Sequence, residues 1–137
     1  MSLLLNVLWV IFGGLVIAAQ YAIAGLVLCL TIVGIPFGIQ CFKLASLALW
    51  PFGRDLRSPP QGGGAAALGS IFNLLWLVLA GLWIFLSHLV IGVALMLTIV
   101  GIPFALQHMK LAGLALWPFG RAIGGERGGG RPLAGRP

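Results

Sequence analysis

The peptide LTIVGIPFGIQCFKLASLALWPFGR at residues 30–54 returns at residues 97–121 as LTIVGIPFALQHMKLAGLALWPFGR, identical at 20 of 25 positions. The copies differ at Gly38/Ala105, Ile39/Leu106, Cys41/His108, Phe42/Met109 and Ser46/Gly113. The same shift of 67 residues, without a gap, aligns Asn6 with Asn73, Leu8 with Leu75, Trp9 with Trp76, Gly14 with Gly81 and Gly25 with Gly92. Any fold for this chain must therefore accommodate one structural unit twice. The units are residues 1–56 and 70–123. Between them, residues 57–69 carry RSPPQGGG and read as a Pro/Gly-rich cytoplasmic linker. Residues 124–137, GGERGGGRPLAGRP, have no apolar face and read as a disordered basic tail.

The solvent follows from composition. The chain is 61% hydrophobic and 7% charged, where soluble domains run near 25% charged. Ten charged side chains cannot cover a soluble body of 137 residues, so lipid must cover most of it. The net charge of +6 is clustered. Arg54 and Arg57 end the first unit, Arg121 ends the second, and Arg127, Arg131 and Arg136 follow. Arginines beside apolar spans mark the cytoplasmic side. The apolar N-terminus lacks the basic start of a signal peptide, and its counterpart at 70–87 is internal, so it reads as a permanent span.

The apolar tract from Ala65 to Trp117 would extend roughly 80 Å as a helix at about 1.5 Å per residue, against a bilayer core of about 30 Å. Equivalent arginines on one side require an even number of crossings between them. Two per unit fits, giving four in all with both termini cytoplasmic. The mid-tract polar pairs Gln20-Tyr21 and Ser87-His88 mark the expected reversals, with helices near 3–20, 22–41, 70–87 and 89–108. A second arrangement keeps some helices re-entrant. The expected fold is an all-α integral membrane protein of two tandem parallel repeats, each a kinked transmembrane hairpin with an interfacial helix.

Within each unit, Gly34 and Pro36, like Gly101 and Pro103, are expected to break the second helix, because proline removes a backbone donor and clashes with the preceding turn. Gly34 and Gly38 also have GxxxG spacing, which permits close helix contact. Beyond the break, Lys43 and Trp50 are seven residues apart and share a helix face, as do Lys110 and Trp117. Gln40 and Gln107 lie one turn earlier. The plainer reading makes Trp50, Trp117, Arg54 and Arg121 interfacial anchors, with the lysines snorkelling to the headgroups. The sharper one turns Lys43 and Lys110 towards an aqueous path. Asn6 and Asn73 read as caps or interfacial contacts, or as hydrogen-bonding groups that join the two units.

No chemistry of catalysis is legible. Asp55 and Glu126 are the only acids, and GxSxG, HExxH and a P-loop are absent. Cys29 and Cys41 read as small apolar residues. His88 and His108 are twenty residues apart on different segments, so metal and other cofactors find no support. The tail holds few arginines and no aromatics, which favours contact with anionic lipid over nucleic acid.

The NxxW near the start, IVGIPFxxQxxKLA and ALWPFGR, each present twice, resemble the YccF-type inner-membrane component family of bacteria. The resemblance implies an inner-membrane protein of two such domains and no particular mechanism. Four short helices cannot enclose a pore and bury their polar side chains alone, so a homo-oligomer is expected. The function expected is an oligomeric pore selective for anions, since the spans contain cationic and no acidic side chains. The alternative is a non-conducting scaffold or accessory subunit of an inner-membrane complex.

Overall fold

The computed structural model describes residues 1–57 and 62–125. Glu126 and the remainder of the basic tail lie outside the described residues, as do linker residues 58–61. Four helices carry the fold. α1 is Ser2–Cys29, α2 is Ile35–Leu49, α3 is Gly63–Met96 and α4 is Ile102–Leu116. Strands β1 (Arg54–Arg57) and β2 (Ala122–Gly125) follow the second helix of each unit.

Each unit is a single hairpin of one long and one short helix. α1 and α3 have 28 and 34 residues, or about 42 and 51 Å at the helical rise. α2 and α4 have 15 residues each, about 22 Å, which falls short of a bilayer core of about 30 Å. By length and apolar composition α1 and α3 could cross a membrane.

The reversals are not where the polar pairs suggested. α1 runs through Gln20-Tyr21 and α3 through Ser87-His88. In α1 the Gln20 Oε1 is buried without a hydrogen-bond partner among the described residues, while in α3 the pair is better accommodated. Ser87 Oγ donates to the Trp83 carbonyl one turn back, at 3.2 Å. His88 lies buried against a neighbouring helix. The chain turns instead at 30–34 and 97–101. Thr31 Oγ1 donates to the Leu28 carbonyl and accepts from the Gly34 N–H, both at 3.0 Å. Thr98 repeats this with Leu95 and Gly101. A Cβ at Gly34 or Gly101 would collide with the Leu28 or Leu95 carbonyl. Pro36 and Pro103 then fall in the first turn of α2 and α4, where no intrahelical N–H is required. The GIP element thus makes the hairpin turn and does not kink a helix that continues beyond it. The expected helices 22–41 and 89–108 are divided at this point.

The two ends of each hairpin are fastened together. Asn6 Nδ2 donates to the Phe52 carbonyl and Asn6 Oδ1 accepts from the Phe52 N–H, both at 2.9 Å. Asn73 makes the same pair of bonds to Phe119, at 3.0 and 2.8 Å. Trp9 Nε1 donates to the Ala48 carbonyl at 2.6 Å and Trp76 Nε1 to Ala115 at 2.7 Å. Both indoles are fully buried, so the repeated NxxW is a clasp for its own unit.

The units pack on one another through aromatic rings. Phe37 meets Phe72 and Phe119 edge-on, each at 5.3 Å between centroids. Phe12 lies 5.1 Å from Phe104, and Tyr21 stacks on Trp76 at 6.2 Å. β1 pairs antiparallel with β2, Arg54 opposite Gly125 and Arg57 opposite Ala122. This small sheet was not expected. It joins the ends of the two units, and it includes Gly124 and Gly125, read from sequence as tail. Residues 63–69, read as linker, are the first turns of α3.

Candidate functional site

Strand alternation sorts the charged residues after the first hairpin. Successive side chains of β1 point to opposite faces. Arg54 and Leu56 are half-buried, while Asp55 and Arg57 are exposed. Arg54 and Leu56 face a cavity of about 470 Å³ between the two units, also lined by Lys43, Gln40, Leu114 and Arg121. No carboxylate lines it among the described residues. A second cavity of about 340 Å³ adjoins it, sharing Leu56, Leu114 and Arg121 and lined by Lys110. Four cations from both repeats thus gather at the end of the body where the hairpins are clasped.

The cleft is held from several sides. Gln40 Nε2 donates to the Pro118 carbonyl across the unit boundary, at 3.2 Å. Arg54 Nη1 donates to Ser46 twice, to its carbonyl at 3.2 Å and its hydroxyl at 3.0 Å. Both acceptors are neutral, so the guanidinium is oriented without being neutralised. In the second unit Gly113 replaces Ser46. Arg121 therefore has no such hydroxyl beside it, and it lines both cavities.

The structure brings Lys43, Gln40, Arg54 and Arg121 together, with Lys110 next to them. Lys43 and Lys110 are exposed. Asn6 and Asn73 are buried and serve their own hairpins, so they do not join the units. Gly34, Pro36, Gly101 and Pro103 sit at the turns. Trp50 is half-buried, Trp117 is 41% exposed, and both lie where α2 and α4 end. Gln107 is half-buried, and no counterpart of the Gln40 bond occurs among the described residues.

A second polar cluster escaped the sequence reading. His88 and His108 are fully buried, and their Nδ1 atoms lie 3.0 Å apart. Trp9 of the other unit covers the His108 ring at 4.2 Å between centroids. His108 Nε2 faces the Phe12 carbonyl at 3.4 Å. A carbonyl only accepts, so His108 carries its hydrogen on Nε2, its Nδ1 accepts, and His88 Nδ1 donates. His88 Nε2 remains a bare acceptor with no protein partner. Two donors without a third group do not make a metal centre, and no cluster of three metal-ligating side chains occurs among the described residues. The available signal was the repeat itself. The 67-residue shift places His88 on Tyr21 and His108 on Cys41, two replacements that meet in space.

Two copies of an apolar helical hairpin, clasped at their basic ends, define a duplicated membrane-type helical protein. The chain belongs to the YccF inner membrane component domain family, which matches it twice, over residues 4–54 and 71–121. It is similar to the inner membrane protein YccF of Escherichia coli (strain K12), at 31% identity over 129 residues covering 90% of this chain and 87% of the relative. The protein of the same name from Shigella flexneri matches with the same identity and coverage. No solved structure matches.

Proposed function

We propose that this protein is a non-conducting scaffold of the bacterial inner membrane that recognises anionic groups at the cytoplasmic headgroup level. The observation that carries the reading is the cleft in which Lys43, Arg54 and Arg121, drawn from both repeats, share one cavity without a lining carboxylate among the described residues. Arginines flanking apolar helices favour the cytoplasmic side, so both hairpins enter and return there. Their tips support a further point. Ile32 and Ile99 are 88% and 89% exposed, and Leu30 and Leu97 are each 85% exposed. Apolar tips on hairpins limited by helices of about 22 Å are suited to lipid, and they stay within the far leaflet.

Cysteine accessibility tests this in a background lacking Cys29 and Cys41. Pro60→Cys and Gly130→Cys should label only from the cytoplasm, and Ile32→Cys from neither side. Labelling of the first two on opposite sides removes the shared cytoplasmic face; external labelling of Ile32→Cys shows that the hairpin crosses fully.

A second reading is an anion pore in a symmetric homo-oligomer. It is favoured by Lys43 and Lys110, exposed at equivalent positions, which symmetry would repeat as a ring of positive charge. Planar bilayers under a chloride gradient separate the two. The scaffold gives no protein-dependent current. An anion-directed reversal potential that falls in the Lys43→Gln, Lys110→Gln double variant establishes the pore. Mass measurement in nanodiscs checks the oligomer directly.

A further inference from the structure

We infer that the cleft between the repeats holds one phosphate group, carried by an acidic phospholipid headgroup or present as free phosphate. The inference rests on the anion-recognition reading and adds the chemistry of the anion. Three features carry it.

The first is donor geometry. Arg54 is fixed by two bonds from Nη1 to Ser46. A guanidinium has five N–H donors in a planar fork, so the rest of the fork remains for a ligand, and such a fork fits phosphate in a bidentate manner. Lys43 and Arg121 add a point charge and a second fork from other walls of the same cavity. Three cations suit the charge and several oxygens of a phosphate better than the single charge of chloride.

The second is the absence of an internal competitor among the described residues. Asp55, the acid nearest in sequence, is exposed on the opposite face of β1 from Arg54 and Leu56. Among the described residues, therefore, no carboxylate lines the cavity beside the basic groups.

The third is the amphipathic character of the walls. Leu44, Leu56 and Leu114 line the same cavity as the cations. A volume of about 470 Å³ is far larger than one water-sized ion needs, and it accommodates a phosphate with an attached glycerol-sized group. The site is also single although the chain is duplicated. Only the first unit has the serine that orients its arginine, because Gly113 stands at the equivalent position.

The test uses the full chain. Purified protein is exchanged into nanodiscs of phosphatidylcholine doped with phosphatidylglycerol, and the lipid retained per chain is read by native mass spectrometry. The expected result is one retained phosphatidylglycerol at least tenfold preferred over phosphatidylcholine. The Lys43→Gln, Arg121→Gln variant should lose that preference at least tenfold, and Lys43→Arg should keep it. Both altered residues are exposed, and an unchanged thermal midpoint verifies that the variant is folded. Displacement of the lipid by millimolar inorganic phosphate supports the phosphate site and shows that the free ion can occupy it. Retention undiminished by inorganic phosphate supports the lipid-borne form. Equal retention of the two lipids, or no effect of the double variant, overturns the proposal. Oleate retained as well as phosphatidylglycerol, with the same dependence on Lys43 and Arg121, overturns the phosphate chemistry while leaving anion recognition intact. Indifference to every anion removes both.

Discussion

The two repeats share a backbone plan but fill its centre differently. In the first, Tyr21 on α1 and Cys41 on α2 occupy the buried positions that His88 on α3 and His108 on α4 occupy in the second. The paired histidines need a partner for His108 Nε2, and the first repeat supplies the Phe12 carbonyl. That group is available because α1 is disrupted there. Phe12 has ψ +26° and Gly13 has φ +117°, a conformation that residues with a Cβ rarely adopt. In the second repeat Ala80 stands in place of Gly13, and the corresponding turn 77–81 contains no positive φ. The difference teaches that the copies diverged together. A glycine in one unit opens a carbonyl for a histidine in the other. The asparagine and tryptophan clasps, kept identical, act within a unit. The changes at Cys41/His108 and Gly13/Ala80 include contacts where the units touch, His108 meeting Trp9 and Phe12.

The largest effects are expected where the repeats agree. Asn6→Ala leaves the Phe52 N–H and carbonyl without their partner, and Asn73→Ala does the same to Phe119. Each should cost about 2–4 kcal/mol, since an unsatisfied buried polar group costs roughly 1–3 kcal/mol. Steric-trapping or reversible denaturation in detergent measures this. Widely unequal losses would break the equivalence of the two clasps.

The histidine pair comes next. His108→Cys strips His88 of its partner and should destabilise by about 1–3 kcal/mol. His88→Tyr combined with His108→Cys gives the second unit the residues of the first. It should recover about half or more of that loss, a coupling of the size seen between contacting residues. A double variant as unstable as the sum of its singles would mean that the two pairs are not interchangeable.

Exchanging the hinge residues sharpens the comparison. Gly13→Ala forces a Cβ into positive φ, with Ile91 Cγ2 only 2.9 Å from it. The expected cost is about 1–2 kcal/mol. Ala80→Gly, in a helical turn, should cost no more than about 1 kcal/mol. Equal effects from the two changes, measured by the same denaturation, would remove the structural distinction between them.

The smallest effect belongs to the cleft. Ser46→Gly copies the second unit and frees Arg54 at an exposed site. It should lower stability by about 0.5 kcal/mol while weakening the phosphatidylglycerol preference several-fold. A loss of stability without any loss of lipid preference would assign Ser46 to the fold alone.

Much of this protein was legible in the chain. The repeat fixes two equivalent units, because one sequence pattern in one solvent reaches one local structure. Apolar composition excludes a soluble surface. The equivalent arginines were read as marking one side of a membrane; that the ends of the two units also meet, through the β1–β2 pairing, is a feature of the tertiary structure. Gly34-Ile35-Pro36 was recognised as a break, but whether it kinks a helix or reverses the chain depends on what Thr31 bonds and on which helix packs behind it. Gln20-Tyr21 and Ser87-His88 looked like loops for a related reason. A polar side chain can stay in an apolar helix when it is packed or paired there: Ser87 bonds one turn back to the Trp83 carbonyl, and His88 meets a residue elsewhere in the chain. His88 needs His108, twenty residues away, and Arg54 meets Arg121 in one cleft only when the two units dock. Local pattern determines which segments become helices. Only tertiary packing determines which polar groups finish beside one another, because that choice is made by contacts between surfaces whose register no single segment encodes.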